Sequence, residues 1–102
     1  MYGLMIDPGK APEGRFLPNT RPELEQLLGG PFQVHPLARS AAALLYVQGE
    51  GMEFPNRYYI DRWYYGRLVI VGYDRQRGSL CRLSKEDEAA LTGKWMGVEA
   101  ER

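Results

Sequence analysis

The chain has 102 residues, 44% of them hydrophobic, with 13 basic and 13 acidic side chains. This length predicts one domain, because a second core needs roughly another 50 residues. The neutral balance excludes a strongly basic nucleic-acid arm, an acidic tail and the composition of an unfolded chain. No run of about 18 apolar residues occurs, so no membrane-spanning helix is expected. Residues 1–6 lack a basic n-region and meet Asp7-Pro8 too early for a signal peptide, which makes a cytoplasmic location the expectation. With Cys81 the single cysteine, an internal disulfide and a cysteine zinc cluster are both excluded.

Residues 2–6 read as a strand that stops at the turn cluster Asp7-Pro8-Gly9, and residues 14–17 read as its return. Thr20-Arg21-Pro22-Glu23 then supplies a hydroxyl for a free N–H, a first-turn proline and a carboxylate three residues on. Leu24, Leu27 and Leu28 share one face of the helix so begun, and Gly29-Gly30-Pro31 ends it. Residues 32–35 alternate as in a half-buried strand. In residues 40–47 three alanines favour helix, while the short length and the Gly49-Glu50-Gly51 stop suit a strand; strand is the reading taken.

Residues 54–57 read as a turn or loop. Residues 67–73 form the strongest strand, and their continuous apolar run places them in the middle of the sheet with both faces covered. Residues 79–82 pair back as a short antiparallel strand. Ser84 caps a short acidic helix running from Lys85 to about Leu91, where the helix dipole accounts for Glu86, Asp87 and Glu88 in the first turn. The expected fold is therefore a single α+β domain over residues 1–92. It has a mixed, mostly antiparallel sheet of about five strands, a main helix at 21–28 on one face and a short C-terminal helix. Residues 93–102 are expected to fray.

Catalytic and metal chemistry find little support. A His-paired nucleophile would have to use His35 with Cys81 or a serine, and no G-x-S-x-G elbow, P-loop, G-x-G-x-x-G or D-x-D-x-D-G loop is present. His35 reads as a strand histidine and Cys81 as a small buried hydrophobe. The expectation is a non-enzymatic protein with no cofactor and no metal.

Charge distribution is the informative signal. Residues 1–55 carry net −2 and residues 83–102 carry net −2. Residues 56–82 carry six arginines against Asp61 and Asp74, for +4. The same segment holds Tyr58, Tyr59, Trp63, Tyr64, Tyr65 and Tyr73. Guanidinium groups match phosphate oxygens in pairs, and tyrosine or tryptophan faces can stack a base. If residues 58–65 form one strand, Tyr59, Asp61, Trp63 and Tyr65 fall on one side and Tyr58, Ile60, Arg62 and Tyr64 on the other. The same cluster also fits packing within the sheet, or a protein interface, where tyrosine and arginine are enriched.

Gly51 followed by Phe54-Pro55-Asn56-Arg57, then residues 66–72, then Leu83-Ser84 opening an acidic helix, resembles an uncharacterised family carried by bacteriophages and conjugative elements. That family is catalogued only as a domain of unknown function. Ile6-Asp7-Pro8-Gly9-Lys10 and Leu27-Leu28-Gly29-Gly30 are similar to it as well, so the likeness covers about residues 4–92. Between Arg57 and Gly66 the chain departs from the family, being shorter and richer in tyrosine and arginine. The resemblance implies a fold and a mobile-element origin, with counter-defence as the implied role, and transfers no established activity.

The resulting expectation is capture of a small phosphate-bearing ligand, such as a signalling nucleotide, by Arg57, Tyr58, Arg62, Trp63, Tyr64, Tyr65 and Arg67. A module that docks a host or phage protein through the same patch, with self-association, is the alternative. Nucleic-acid binding is a third reading.

Overall fold

The computed structural model describes residues 1–38, 40–48, 55–59 and 62–96. Its strands are β1 (Tyr2–Ile6), β2 (Glu13–Phe16), β3 (Gln33–Pro36), β4 (Ala42–Tyr46), β5 (Pro55–Tyr59), β6 (Arg62–Tyr65), β7 (Leu68–Asp74) and β8 (Ser79–Cys81). Two helices join them, α1 (Arg21–Leu28) and α2 (Lys85–Lys94). Six strands form one sheet in the order β2-β1-β7-β4-β3, with β8 also pairing β7. Every registered pairing of the described strands is antiparallel. β7 is the central strand, as its apolar run requires, and residues 42–46 are a strand despite their alanines.

Side-chain alternation on the central strands sends two apolar sets to opposite faces. Met5, Leu45, Val69 and Val71 meet Leu24, Leu28 and Phe32 under α1. Leu4, Ile6, Leu44, Leu68 and Ile70 meet Tyr59, Tyr64, Leu91 and Trp95 on the other side. The second face is thus covered by a β5–β6 hairpin together with α2. Paired positions such as Leu4↔Ile70 and Leu44↔Ile70 keep each set in register.

The helix ends follow local chemistry. Pro22 lies in the first turn of α1, and Gly29 closes it at φ 97, where its N–H and that of Gly30 both bond to the Glu25 carbonyl at 2.8 Å. Thr20 differs from expectation: its hydroxyl donates to the Glu23 carboxylate at 2.7 Å and caps no backbone N–H. Ser84 does cap α2, accepting from the Asp87 N–H at 3.1 Å.

Three expectations are corrected. Residues 55–57, read as a turn or loop, belong to β5, because they pair with β6. The acidic helix continues to Lys94, and Trp95 beyond it is fully buried, so residues 93–95 are anchored by the core and do not fray. Cys81 is exposed, since β8 is a short outer strand. The expected Gly49–Gly51 stop, residues 60–61 of the strand considered through 58–65, and the tail from 97 lie outside the described residues.

Candidate functional site

Residues 55–59 and 62–65 form two strands, which changes the expected facing of their side chains. The register pairs Arg57↔Tyr64, Tyr58↔Trp63 and Tyr59↔Arg62. Directly opposed residues of an antiparallel pair share a face. The inner face therefore carries Arg57, Tyr59 and Tyr64, all buried, and the outer face carries Tyr58, Trp63 and Tyr65, all half-buried. A single strand through 58–65 would have put Tyr58 with Tyr64; the antiparallel register of β5 and β6 reverses that parity. Tyr58 and Trp63 meet edge to face at 5.5 Å, an arrangement that strengthens a two-stranded ribbon.

Arg57 is not a surface cation. It is 1% exposed, and its Nε donates to the Trp95 carbonyl at 2.9 Å. Its Nη1 donates to the Asn56 carbonyl at 3.1 Å and to Asn56 Oδ1 at 2.7 Å, and Nη2 donates to the Lys10 carbonyl. Asn56, brought inward by a bulge next to Pro55, donates in turn to the Ile6 carbonyl at 2.8 Å and the Gly66 carbonyl at 2.6 Å. Among the described residues no carboxylate pairs with Arg57, and burial lowers its pKa from the ordinary arginine value. These two residues staple the hairpin to β1, to the loop after it and to the end of α2.

Arg67 also departs from the expected cluster. Its Nε bonds Asp7 Oδ1 at 2.7 Å, and it lines a polar cavity of about 260 Å³ with Lys10, Glu13 and Arg15. Arg75 donates to the Leu37 and Ser40 carbonyls, and Arg77 pairs with Asp74. The expected convergence of Arg57, Arg62 and Arg67 on one concave spot does not occur, because two of the three are held by partners in different places.

Arg62 and Arg82 remain without a carboxylate or carbonyl acceptor among the described residues. Arg82 lines an apolar cavity of about 320 Å³ with Tyr2, Phe16, Leu83, Lys85 and Glu88, but the acids of the first turn of α2 disfavour an anion there. Arg62 lies over the Tyr64 ring at 4.8 Å and the Tyr46 ring at 5.3 Å, and those two rings meet edge to face at 4.8 Å. Its cross-strand partner Tyr59 adjoins His35 at 6.3 Å and lies under the Lys94 ammonium at 5.9 Å. Strands β3 and β4, the hairpin and α2 so gather His35, Tyr46, Tyr59, Arg62, Tyr64 and Lys94 at one end of the layer. Burial raises the Tyr64 pKa, and the positive charge of Arg62 opposes that shift.

Of the expected site, Arg62 and Tyr64 are in this cluster, Tyr64 as a buried wall. Tyr58, Trp63 and Tyr65 face the other way. His35 and Tyr46 were not anticipated; their shared facing follows from the register His35↔Leu44 and Gln33↔Tyr46, which only strand pairing supplies. His35 and Cys81 cannot act as a pair, since two strands lie between β3 and β8, a separation of about 14 Å at the usual strand spacing. Among the described residues no group of three histidine, cysteine or acidic side chains could hold a metal ion.

No family model, curated protein or solved structure matches this chain.

Proposed function

We propose that this chain is a non-enzymatic binding protein that takes a phosphate-bearing ligand with a planar ring, such as a nucleotide, at the cluster of His35, Tyr46, Tyr59, Arg62 and Tyr64. The observation that carries this reading is Arg62 itself. Its guanidinium lies over two tyrosine rings and has no carboxylate among the described residues. A cation resting on two rings is held in place, and its in-plane N–H groups stay available to fork onto phosphate oxygens. The half-buried Tyr46 ring offers a neighbouring surface for a base. Partners elsewhere engage Arg67, Arg75 and Arg77, and Arg57 is interior, which supports a compact ligand over a long nucleic-acid track. The mobile-element origin and the counter-defence role rest on the order of the sequence motifs alone.

A panel of mono- and cyclic nucleotides tests this by melting temperature. Ligand at about 100 times its Kd adds about 2.7 kcal/mol of stability. The expected result is a shift with at least one member, lost in Arg62→Ala; no shift across the panel removes the reading.

A protein-docking module is the second reading, favoured by the stacked Tyr58 and Trp63 on the outer face of the hairpin. There, Trp63→Ser abolishes recovery of a partner while Arg62→Ala retains it, and unchanged recovery by Trp63→Ser removes the idea.

A further inference from the structure

We propose that β2 is a homodimer interface, at which a second copy of this chain adds its own β2 antiparallel about a twofold axis through Gly14. This goes beyond the ligand reading and does not depend on it.

β2 is an outermost strand of the six-stranded sheet, and all four of its residues are exposed. Which of its main-chain groups point outward follows from the pairing with β1. Leu17 N–H donates to the Met1 carbonyl at 2.6 Å and the Met1 amine donates to the Leu17 carbonyl at 2.8 Å, so these two residues form a hydrogen-bonded pair. Such pairs alternate along an antiparallel ladder. Gly3↔Arg15 and Met5↔Glu13 are therefore the next hydrogen-bonded pairs, and the N–H and C=O groups of Gly14 and Phe16 point away from β1.

An incoming strand must use those outward groups. Centring it on Gly14 lets the two glycines exchange both of their main-chain bonds, and lets each Phe16 N–H donate to the partner's Pro12 carbonyl. In that register Glu13 lies opposite the partner's Arg15, and Arg15 opposite the partner's Glu13. Both fall in non-hydrogen-bonded pairs, where side chains approach most closely. The motif Glu13-Gly14-Arg15 is thus charge-complementary to its own reverse. Charges on an edge strand ordinarily block pairing, but here they have opposite sign and are symmetric about the axis. Within one chain the Glu13–Arg15 contact is loose, at 3.6 Å with both side chains at least half exposed, so little holds these groups back from new partners. Phe16, 84% exposed and in edge contact with Tyr2 at 5.4 Å, would gain cover against the partner's Pro12.

Sedimentation equilibrium over a concentration series provides the test. The wild-type chain is expected to dimerise. Arg15→Glu, which places two carboxylates opposite each other at both ends of the pairing, should weaken the dimer about tenfold or more. Combining Glu13→Arg with Arg15→Glu reverses both charges and should restore it. A chain that stays monomeric up to its solubility limit overturns the proposal. So does an Arg15→Glu dimer as tight as wild type, or a double variant no tighter than Arg15→Glu. Should a variant fold poorly, hydrogen exchange on the wild type decides: the Gly14 and Phe16 amides must gain protection as concentration rises, and flat exchange overturns the interface.

Discussion

Arg57 on β5 donates from Nε to the main-chain carbonyl of Trp95 at 2.9 Å, joining the hairpin to the residue that follows α2. Both residues are buried beneath the sheet's second face, and each was read from sequence as peripheral. The bond makes Arg57 a structural cation whose charge is met by carbonyl oxygens. Replacing it leaves those acceptors and Asn56 Oδ1 buried without a donor.

Arg57→Ala should therefore destabilise by about 3 kcal/mol. Arg57→Lys should recover little, since an ammonium cannot reproduce the planar fork that reaches Trp95, Asn56 and Lys10 together. Urea denaturation midpoints measure both.

Trp95→Ala should cost about 3–5 kcal/mol, the usual range for emptying a buried tryptophan site. Its ring packs against Tyr59 at 4.9 Å. If the tail were frayed from residue 93, the same substitution would leave the melting temperature unchanged. Among the described residues the indole N–H has no hydrogen-bond partner, so Trp95→Phe should cost markedly less than Trp95→Ala.

Glycines 72 and 14 should respond differently to alanine. A Cβ at Gly72 would come within 2.3 Å of the Arg82 carbonyl oxygen, a backbone atom that cannot move without shifting the chain after β8. At Gly14 the nearest obstacles are the Tyr2 hydroxyl at 2.0 Å and the Glu88 carboxylate at 2.6 Å, two side-chain ends that can swing apart. Gly72→Ala is expected to lose about 3 kcal/mol or more, and Gly14→Ala about 1 kcal/mol through the broken Tyr2–Glu88 bond. Thermal melts of the two variants side by side check the contrast.

Alkaline pH should weaken the fold. The Tyr64 hydroxyl is raised above 10.0 by burial, and the Tyr2 hydroxyl above 10.0 by its bond to the Glu88 carboxylate and by burial. A raised folded value means the neutral form is preferred in the native state. That contribution is complete below 10.0 and is lost as pH rises through the folded value. Denaturation midpoints should be flat below about pH 9 and fall above about pH 10, less steeply in Tyr64→Phe. Arg62→Ala should move the Tyr64 titration further up by removing the charge that opposes the shift, with at most about 1 kcal/mol of stability lost. Tyrosinate absorbance follows it.

Local chemistry made much of this molecule readable in one dimension. Pro22, Gly29 and Ser84 mark helix ends because each satisfies or forgoes specific backbone groups. The unbroken apolar run of β7 demanded cover on both faces and hence a central place. Arg62 was also legible, as an arginine among aromatic rings. The fate of Arg57 was not, because burying a guanidinium depends on oxygens brought from Lys10, Asn56 and Trp95, and no local pattern encodes that meeting. His35 and Tyr46 joined Arg62 only through the β3–β4 register and the fold of the hairpin onto the sheet. Composition and periodicity determined α1, the start of α2 and which strand is innermost, but not the β5–β6 pair, whose existence rests on its pairing. Tertiary packing decided which charged and aromatic side chains face water, because that depends on what lies opposite each one.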